Sequence, residues 1–278
     1  MSRRLNGITE VVSCVHSGLA LLTLAILAVP TTIAASLNDT GQTMCYQGST
    51  NVKEPCTAAV TGDSGIAPRQ DGRYGRDAKA GKGLLTKVGA GAAAFDFTKI
   101  ANDGSFQPPG ATLGANASDW ACTKDNVTGL TWEVKTATAG LRNVSNTYTW
   151  YSPVTATNGG DPGGVGTTST CSATLGANTC NTQNYVAAIN ALNSGSGLCG
   201  FADWRLPTPR ELVGIIHSGA NNPAIDATYF PNTSVSSAWT GLTMSIFLST
   251  ARAVSFFDGD ALWLIKTTPT SIRVVRGP

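Results

Sequence analysis

The stretch Asp203–Glu211 (DWRLPTPRE) decides the fold of this chain, because it leads into a helix through a defined set of contacts. Thr208 can cap the start of the helix, and Pro209 suits its first position. Glu211 follows the cap by three residues and so completes a capping box. At the C-terminus, the β-branched run Ile272–Arg276 (IRVVR) predicts the last strand. A capped helix and a terminal strand in this order predict a mixed α+β domain.

Hydrophobic periodicity predicts one further helix and several short strands. The apolar face of the earlier helix would consist of Tyr185, Ala188, Ile189 and Leu192, and that of the helix from Pro209 would consist of Leu212, Ile215 and Ile216. β-Branched, aromatic or alternating runs predict strands at 130–135, 147–151, 237–240, 253–256, 262–265 and 272–275. The dipeptide Asp258-Gly259 is a strong turn signal between two of these strands.

The first 35 residues have the pattern of a secretory signal peptide. Arg3 and Arg4 precede the short apolar run 18–29, and small residues follow at 32–35. A transmembrane anchor is the alternative, but the run is shorter than the roughly 20 apolar residues that span a bilayer. We therefore expect an exported protein without a membrane span after signal removal. It would be secreted, periplasmic or attached to the cell surface.

The amino-acid composition of the remaining chain changes along its length. Residues 36–110 are rich in Gly and turn signals, which predicts an irregular N-terminal arm or small subdomain held by a disulfide. Residues 111–278 contain the predicted helices and most of the aromatic side chains, and so form the expected ligand-binding domain. The net charge of +2 and the lack of a basic tract give no indication of nucleic-acid binding.

Six cysteines follow the predicted leader, namely Cys45, Cys56, Cys122, Cys171, Cys180 and Cys199. An even number in an exported chain indicates disulfides. Local pairing favours Cys45–Cys56 and Cys171–Cys180, which leaves Cys122–Cys199, although many other pairings are open. We expect no metal site, since no CxxC pair occurs and His217 is the only histidine after the leader.

Several motifs together resemble the DUF1566 family, the domain found at the C-terminus of the Legionella collagen-like adhesin. The resemblance runs from residue 40 and is most specific over 120–278. The motifs are Cys45 with Cys56, Arg69–Gly72 (RQDG), Asp125–Trp132 (DNVTGLTW), Leu198–Gly200 (LCG), Asp203–Thr208 (DWRLPT) with Glu211 and Leu212, Asn222–Asp226 (NPAID) and Ile272–Arg276.

A wider resemblance is to the formylglycine-generating-enzyme branch of the C-type-lectin-like folds. It rests on the RLPT-x-x-E segment at 205–211 and on the terminal IRVVR strand. The resemblance implies an α+β domain in which two helices pack on a small, twisted antiparallel core. The irregular disulfide-held arm would precede this domain.

The residues give little support for catalysis, and we expect a protein that is not an enzyme and uses no cofactor. A nucleophile normally needs a base within reach, and His217 fits a helix C-terminus better than that role. The cysteines are even in number, so the oxidative chemistry of the formylglycine-generating enzymes does not carry over. A calcium site at Asp258 and Asp260 is possible, but a polar turn explains these residues better.

Two apolar segments near the C-terminus are the candidate binding surface. Residues 241–248 (GLTMSIFL) and 260–265 (DALWLI) place large apolar side chains where family members look rich in Asn, Tyr and Ser. Buried strands are the alternative explanation. If the segments are exposed instead, a rigid framework would display them as a ligand-binding face. The expected ligand-binding residues are Thr243, Met244, Ser245, Ile246, Phe247, Leu262, Trp263, Leu264 and Ile265.

The expected function is that of an exported bacterial binding protein, an adhesin or receptor, whose ligand is a protein or a surface glycan. Some proteins of the lectin-like fold are diversified by retroelements that mutate template adenines. Here such variable positions would be Met244, Ser245, Ile246, Phe247, Leu262, Leu264 and Ile265. One alternative is a structural or assembly subunit of the cell envelope that forms a homo-oligomer. A second is an enzyme of unknown type.

Overall fold

A computed structural model describes residues 37–46, 52–56 and 70–278 of the chain. The expected signal peptide at 1–35 lies outside these residues. None of the helices in the described ranges has the length and hydropathy that a membrane span requires.

The secondary structure consists of ten short strands and five short α-helices within the described residues. The strands are β1 Met44–Tyr46, β2 Lys53–Pro55, β3 Phe97–Ala101, β4 Phe106–Gln107, β5 Trp120–Asp125, β6 Thr131–Glu133, β7 Ser237–Thr243, β8 Thr250–Ser255, β9 Ala261–Ile265 and β10 Val275–Arg276. The helices are α1 Gly75–Gly81, α2 Thr155–Asn158, α3 Ser172–Leu175, α4 Thr182–Asn190 and α5 Pro209–Val213. Single 3₁₀ turns occur at Asp71–Arg73 and Asn193–Gly195.

The strands form antiparallel sheets, and the mixed α+β class predicted from the sequence is confirmed. The larger sheet has the order β10-β6-β5-β3-β4, the second has the order β7-β8-β9, and β1 pairs with β2. The two larger sheets share one hydrophobic core, because Phe97 and Trp132 of the first pack in the same cluster as Ala238 and Val254 of the second. Helix α5 contributes Leu212 to this cluster.

The capped helix forms as the sequence predicts, but it is shorter than expected. Thr208 Oγ1 accepts a hydrogen bond from the N–H of Glu211 at 3.3 Å, and the Thr208 N–H donates to the Glu211 carboxylate at 2.7 Å. Glu211 also pairs with Arg205 through two bonds of 2.7 and 2.8 Å. The helix ends at Val213, and Ile215 and Ile216 reach the core from the turn that follows.

Two predicted strands differ from the structure for the same physical reason. In 147–151, the N–H groups of Tyr148 and Trp150 donate to the Thr270 and Lys266 carbonyls of the segment after β9, whereas that of Thr149 donates to the Cys180 carbonyl. In 272–275, only Val275 joins a strand, where it pairs with Trp132 of β6. An extended segment whose partners lie on different elements is fully hydrogen-bonded without being part of one ladder.

The N-terminal part is more ordered than the sequence indicated. Strand β3 lies inside the larger sheet, between β5 and β4, and Phe95 and Phe97 are buried in the shared core. The described residues from Leu37 onward belong to one compact unit, so the structure shows no division at residue 110. The Gly- and Ala-rich composition of 82–94 obscured the strand that follows it.

The structure contains all three favoured disulfides, Cys45–Cys56, Cys122–Cys199 and Cys171–Cys180. The first joins β1 to the end of β2. The other two lie in the second hydrophobic cluster, with Tyr185, Ile189 and Trp204. Such bonds are typical of proteins that fold outside the reducing cytosol.

A buried ionic cluster joins β6 to the terminal segment. Glu133 is fully buried and pairs with Lys135 at 2.9 Å. The hydroxyl of Tyr185 donates to the Glu133 carboxylate and accepts from Lys135 Nζ at 2.7 Å. The N–H of Val274 donates to Glu133 at 3.2 Å, and Arg273 donates to the Glu133 carbonyl at 2.7 Å. The terminal segment is therefore held to β6 by charge as well as by the ladder.

This cluster predicts a pH dependence of stability. Burial lowers the pKa of Lys135 from 10.5 to about 8, although the charge of Glu133 opposes the shift. Between these two pH values the unfolded chain binds more protons than the folded chain, so the contribution of Lys135 to stability rises with pH. We expect wild type to gain on the order of 1–2 kcal/mol over Lys135→Met between pH 8 and 9.5.

Urea unfolding of both proteins at each pH measures this difference. The range stops below pH 10 because burial also raises the pKa of Tyr185, so that ionisation of tyrosines in the unfolded chain lowers stability there. A difference between the two proteins that stays constant, or that shrinks with rising pH, would contradict the assignment.

Candidate functional site

An exposed apolar face lies at one end of the three-stranded sheet. It comprises the large side chains of the 242–248 segment, which links β7 to β8, and those of β9. Ile246 is 75% exposed, Phe247 62% and Ile265 58%. Leu242, Leu248, Leu262 and Trp263 are also exposed. Successive residues of a strand alternate between its two sides, so Leu262 projects from the opposite side of β9 to Trp263 and Ile265. These seven exposed side chains together are called the apolar face below.

The structure does not bury the expected ligand-binding residues. Ser245 is exposed, as are Ile246, Phe247, Leu262, Trp263 and Ile265, whereas Thr243, Met244 and Leu264 are half-buried. The alternative explanation by buried strands therefore fails for both segments. Large apolar side chains grouped at a protein surface indicate an interaction site more often than single exposed ones do.

The 242–248 segment is held by hydrogen bonds close to its ends. The N–H of Met244 donates to the Thr250 carbonyl at 3.1 Å, and the N–H of Thr250 donates to the Phe247 carbonyl at 2.9 Å. Thr243 Oγ1 donates to the carbonyl of Thr157 in α2 at 3.3 Å. These bonds restrain the backbone while the side chains of Ile246 and Phe247 face solvent, so little ordering is needed on binding.

Strand β9 supplies the second half of the face. It pairs with β8 in the register Leu264↔Ala251, Trp263↔Arg252 and Leu262↔Ala253. The Arg252 guanidinium lies over the Trp263 ring, 4.8 Å from its centre, which places a cation directly beside the exposed indole. Exposed cation–π contacts contribute about 0.5–1 kcal/mol.

Two buried tryptophans support the face from beneath. Trp239 and Trp150 pack with Ala251, Ala253 and Leu264. Trp150 Nε1 donates to the Thr240 carbonyl at 2.9 Å, and Trp239 Nε1 donates to the Tyr148 carbonyl at 2.8 Å. Because each indole is fixed by packing and by one hydrogen bond, the sheet beneath the face is rigid.

Lys266, which directly follows β9, was not identified from the sequence. Its side chain is buried beside the Trp150 ring, and Nζ donates to the carbonyls of Asn158 and Asp161 at 2.8 and 2.6 Å. Burial lowers the pKa of this amine. The residue ties the end of β9 to the loop after α2. A lysine at the end of an apolar run gives no sequence signal for such a role.

A groove of about 600 Å³ adjoins the apolar face. Its walls come from residues 37–40, helix α5 and the turn between β8 and β9, and they include Arg210, Arg252, Asp258 and Asp260. Charged groups therefore border the apolar face on the side of Arg252. Sequence analysis could not identify this groove, because its walls come from three segments that are far apart in the chain.

A cluster of three carboxylates was also missed. Oxygens of Asp39, Asp71 and Asp77 lie within 4.8 Å of one another, which is close enough to hold a cation. Thr40 Oγ1 donates to Asp71, and Asp77 accepts from the Ala94 N–H at 2.9 Å. Burial raises the pKa of Asp77, with smaller contributions from Asp39 and Asp71. The groups thus have hydrogen-bond donors of their own, and no other feature of the described residues marks this cluster as a metal site.

The residues considered for chemistry have clear structural partners. His217 Nδ1 accepts from the Gly219 N–H at 3.0 Å, and burial lowers the pKa of its imidazole. Asp258 accepts from the Asp260 N–H at 3.1 Å, as in an ordinary polar turn. Trp204 is buried in the core, and Arg273 donates to the buried carbonyl of Glu133.

Comparison with protein families identifies one match, to the Lcl C-terminal domain, over residues 121–276. Comparisons with curated proteins and with solved structures find no match. The matched region includes most of β5, all of β6 to β10, the capped helix and the apolar face. Because the match covers more than half of the chain, this protein belongs to the family that carries the Lcl C-terminal domain.

Proposed function

We propose that this protein is an exported binding protein that captures its ligand on the apolar face and carries out no chemical turnover. The observation that carries the proposal is the exposure of seven large apolar side chains on a rigid, tryptophan-supported sheet. A few desolvated aromatic and aliphatic anchors supply most of the affinity in protein interfaces. The three disulfides support export.

A protein is the favoured ligand class. Ile246, Phe247 and Ile265 offer desolvation but no hydrogen-bonding groups, whereas sugar hydroxyls require many polar partners. Arg252 and the two aspartates of the adjoining groove provide polar contacts at the border of the face. This arrangement of an apolar centre with a polar rim is typical of protein interfaces. A glycan ligand would have to bind mainly at the groove.

The proposal includes a C-type-lectin-like arrangement of the domain. The two helices predicted from the sequence, α4 and α5, and the placement of the terminal strand β10 beside β6 in an antiparallel sheet support it. Such a domain would change its ligand by varying the residues of its loops while the framework stays constant.

We also propose that a retroelement diversifies the face. Support comes from the grouping of Ile246, Phe247, Leu262 and Ile265 at the surface, apart from the buried framework. The test is genomic. A near-copy of the DNA segment should lie beside a reverse-transcriptase gene and differ from it only at template adenines, and a neighbourhood without either would contradict the idea.

Binding is tested with the full chain and two matched double variants. Ile246→Ser with Phe247→Ser removes the two most exposed anchors of the face, whereas Leu84→Ser with Val88→Ser removes two similarly exposed side chains elsewhere. The assay is adsorption to cell surfaces and to a glycan array. We expect the first variant to bind at least about 10-fold more weakly, which corresponds to about 1.4 kcal/mol, and the second to bind as wild type does.

Both double variants should keep the stability of wild type, because the replaced side chains are exposed. Equal binding by wild type and the Ile246/Phe247 variant would contradict the proposal. The second candidate, a structural subunit of the cell envelope, is favoured if the chain sediments as a tight oligomer in which residues 242–248 are protected.

A further inference from the structure

One edge of the three-stranded sheet is left open by the described residues. Strand β7 is covered, because the N–H of Trp239 donates to Ser271 and that of Gly241 donates to Pro207. On the opposite edge, β9 pairs only with β8 among the described strands. An uncovered strand edge presents free N–H and C=O groups to any strand that approaches it.

The hydrogen bonds at the two ends of the hairpin formed by β8 and β9 show which residues of β9 present these groups. The Ser255 N–H donates to the Asp260 carbonyl at 2.7 Å, and the Lys266 N–H donates to the Ser249 carbonyl at 2.8 Å. In an antiparallel ladder, hydrogen-bonded pairs alternate with pairs that are not hydrogen-bonded. Leu262 and Leu264 therefore point their backbone groups at β8. Ala261, Trp263 and Ile265 point theirs outward, and of these groups the Ile265 carbonyl already accepts from the Thr268 N–H at 2.8 Å.

The outward edge has none of the features that usually block edge pairing. Residues 261–265 (ALWLI) contain no charged side chain and no proline. Natural sheets protect their edges with lysines, prolines, bulges or very short strands. The absence of charge also means that two copies of this strand can approach each other without repulsion.

We propose that β9 pairs antiparallel with β9 of a second copy of this chain, about a two-fold axis through Trp263. In this register the outward groups of Trp263 bond to those of Trp263 in the second copy, and the Ile265 N–H bonds to the Ala261 carbonyl of the second copy. Trp263 faces Trp263 of the second copy, and Ala261 faces Ile265. Centring the axis on Leu262 or Leu264 would leave one of the three outward residues without a partner from the strand.

Side-chain sizes fit this register. Ile265 would lie opposite the small Ala261, and Leu262 opposite Leu264 on the other face of the sheet. The two Trp263 rings would be cross-strand neighbours, each covered on its far side by its own Arg252. Aromatic cross-strand pairs contribute about 0.2–1 kcal/mol.

The area available predicts a weak dimer. Leu262, Trp263 and Ile265 are 38%, 39% and 58% exposed. At roughly 200 Å² for a large side chain, their exposed surface is on the order of 300 Å² per copy. A typical stable interface buries about 800 Å² per partner. The pairing is thus expected to be transient, and it leaves Ile246 and Phe247 free on each copy.

The register is tested by oxidative cross-linking of the full chain, with Cys14→Ser in every variant. Residue 263 lies on the axis, where two Cα atoms of a hydrogen-bonded pair are about 5.5 Å apart, within disulfide reach. Residue 265 lies about 13 Å from its counterpart in the second copy. We expect Trp263→Cys to form at least about 5-fold more cross-linked dimer than Ile265→Cys. Equal cross-linking of the two variants, or none by either, would overturn the register.

Sedimentation tests the pairing without altering Trp263. The dimer fraction of wild type should rise several-fold between about 10 µM and 1 mM, as for a weak interface. Ala261→Pro removes one outward N–H and no bond to β8, so it should reduce association at least about 5-fold, whereas Ala261→Ser should not.

A monomer at the highest concentration, or an oligomer that Ala261→Pro leaves intact, contradicts the proposal. The ligand-binding proposal does not depend on this result, because its test measures how much Ile246 and Phe247 contribute to binding.

Discussion

Replacing Glu133 by Ala is expected to lower the free energy of unfolding by about 3–5 kcal/mol, the loss typical of breaking a buried ion pair. Glu133 is fully buried, and its carboxylate accepts hydrogen bonds from Tyr185 and from the Val274 N–H as well as pairing with Lys135. Without the carboxylate, the pKa of the buried Lys135 falls further, so the amine is either charged without a counter-charge or must give up its proton, and the Tyr185 hydroxyl and Val274 N–H lose their acceptor. Unfolding in urea, followed by circular dichroism, measures the loss.

Glu211→Ala is the matched control for this prediction. Glu211 also pairs with a basic residue and bonds to the backbone, but the side chain of its partner Arg205 is 40% exposed. Burial works to raise the pKa of Glu211, yet the bonds from Arg205 and Thr208 outweigh it and lower the pKa. Loss of a cap and a partly exposed pair is expected to cost about 1–2 kcal/mol. Equal losses in the two variants would show that burial of Glu133 has no special effect.

Removing the Cys122–Cys199 disulfide is expected to have the second large effect. The two cysteines are 77 residues apart, so the bond restricts the unfolded chain strongly. Loop-closure entropy gives a loss of about 4–5 kcal/mol for a loop of this length. The bond also joins β5 to the segment that leads into the capped helix. The double variant Cys122→Ala with Cys199→Ala therefore tests both effects together.

The disulfide Cys171–Cys180 provides the comparison, because its cysteines are 9 residues apart and also lie in the second hydrophobic cluster. The same relation gives a loss of about 2–3 kcal/mol for its removal. Urea unfolding of both double variants under oxidising conditions measures the difference. A smaller loss for the Cys122/Cys199 variant than for the Cys171/Cys180 variant would contradict the entropic argument.

Sequence reasoning succeeded where a residue acts on its near neighbours. The capping box of Thr208 and Glu211 depends on three-residue spacing, and the structure confirms it. Helix α4 and strands β7, β8 and β9 follow from local periodicity and turn signals. The two short-range disulfides follow from spacing in the same way. Family membership rests on several such local motifs taken together.

Strand β3 was missed because the contacts that stabilise it lie outside its own segment. Strand β3 is stabilised by pairing with β5 and by the packing of Phe97 against Phe230. Neither contact produces a periodic pattern in the Gly-rich segment around it. The opposite error occurred at 147–151, where a β-branched and aromatic run bonds to two different segments, 266–270 and Cys180, instead of one strand.

The α+β class, the capped helix, the family and the apolar character of 242–248 and 261–265 can be read from the amino-acid sequence, because these depend on local spacing and composition. Which of those apolar side chains face solvent depends on the three-dimensional packing. Exposure is set by the edge position of β9 and by the tryptophans that already fill the space beneath the sheet, through contacts between residues far apart in the chain. The buried pairing of Glu133 with Lys135 beside the terminal segment was decided in the same way.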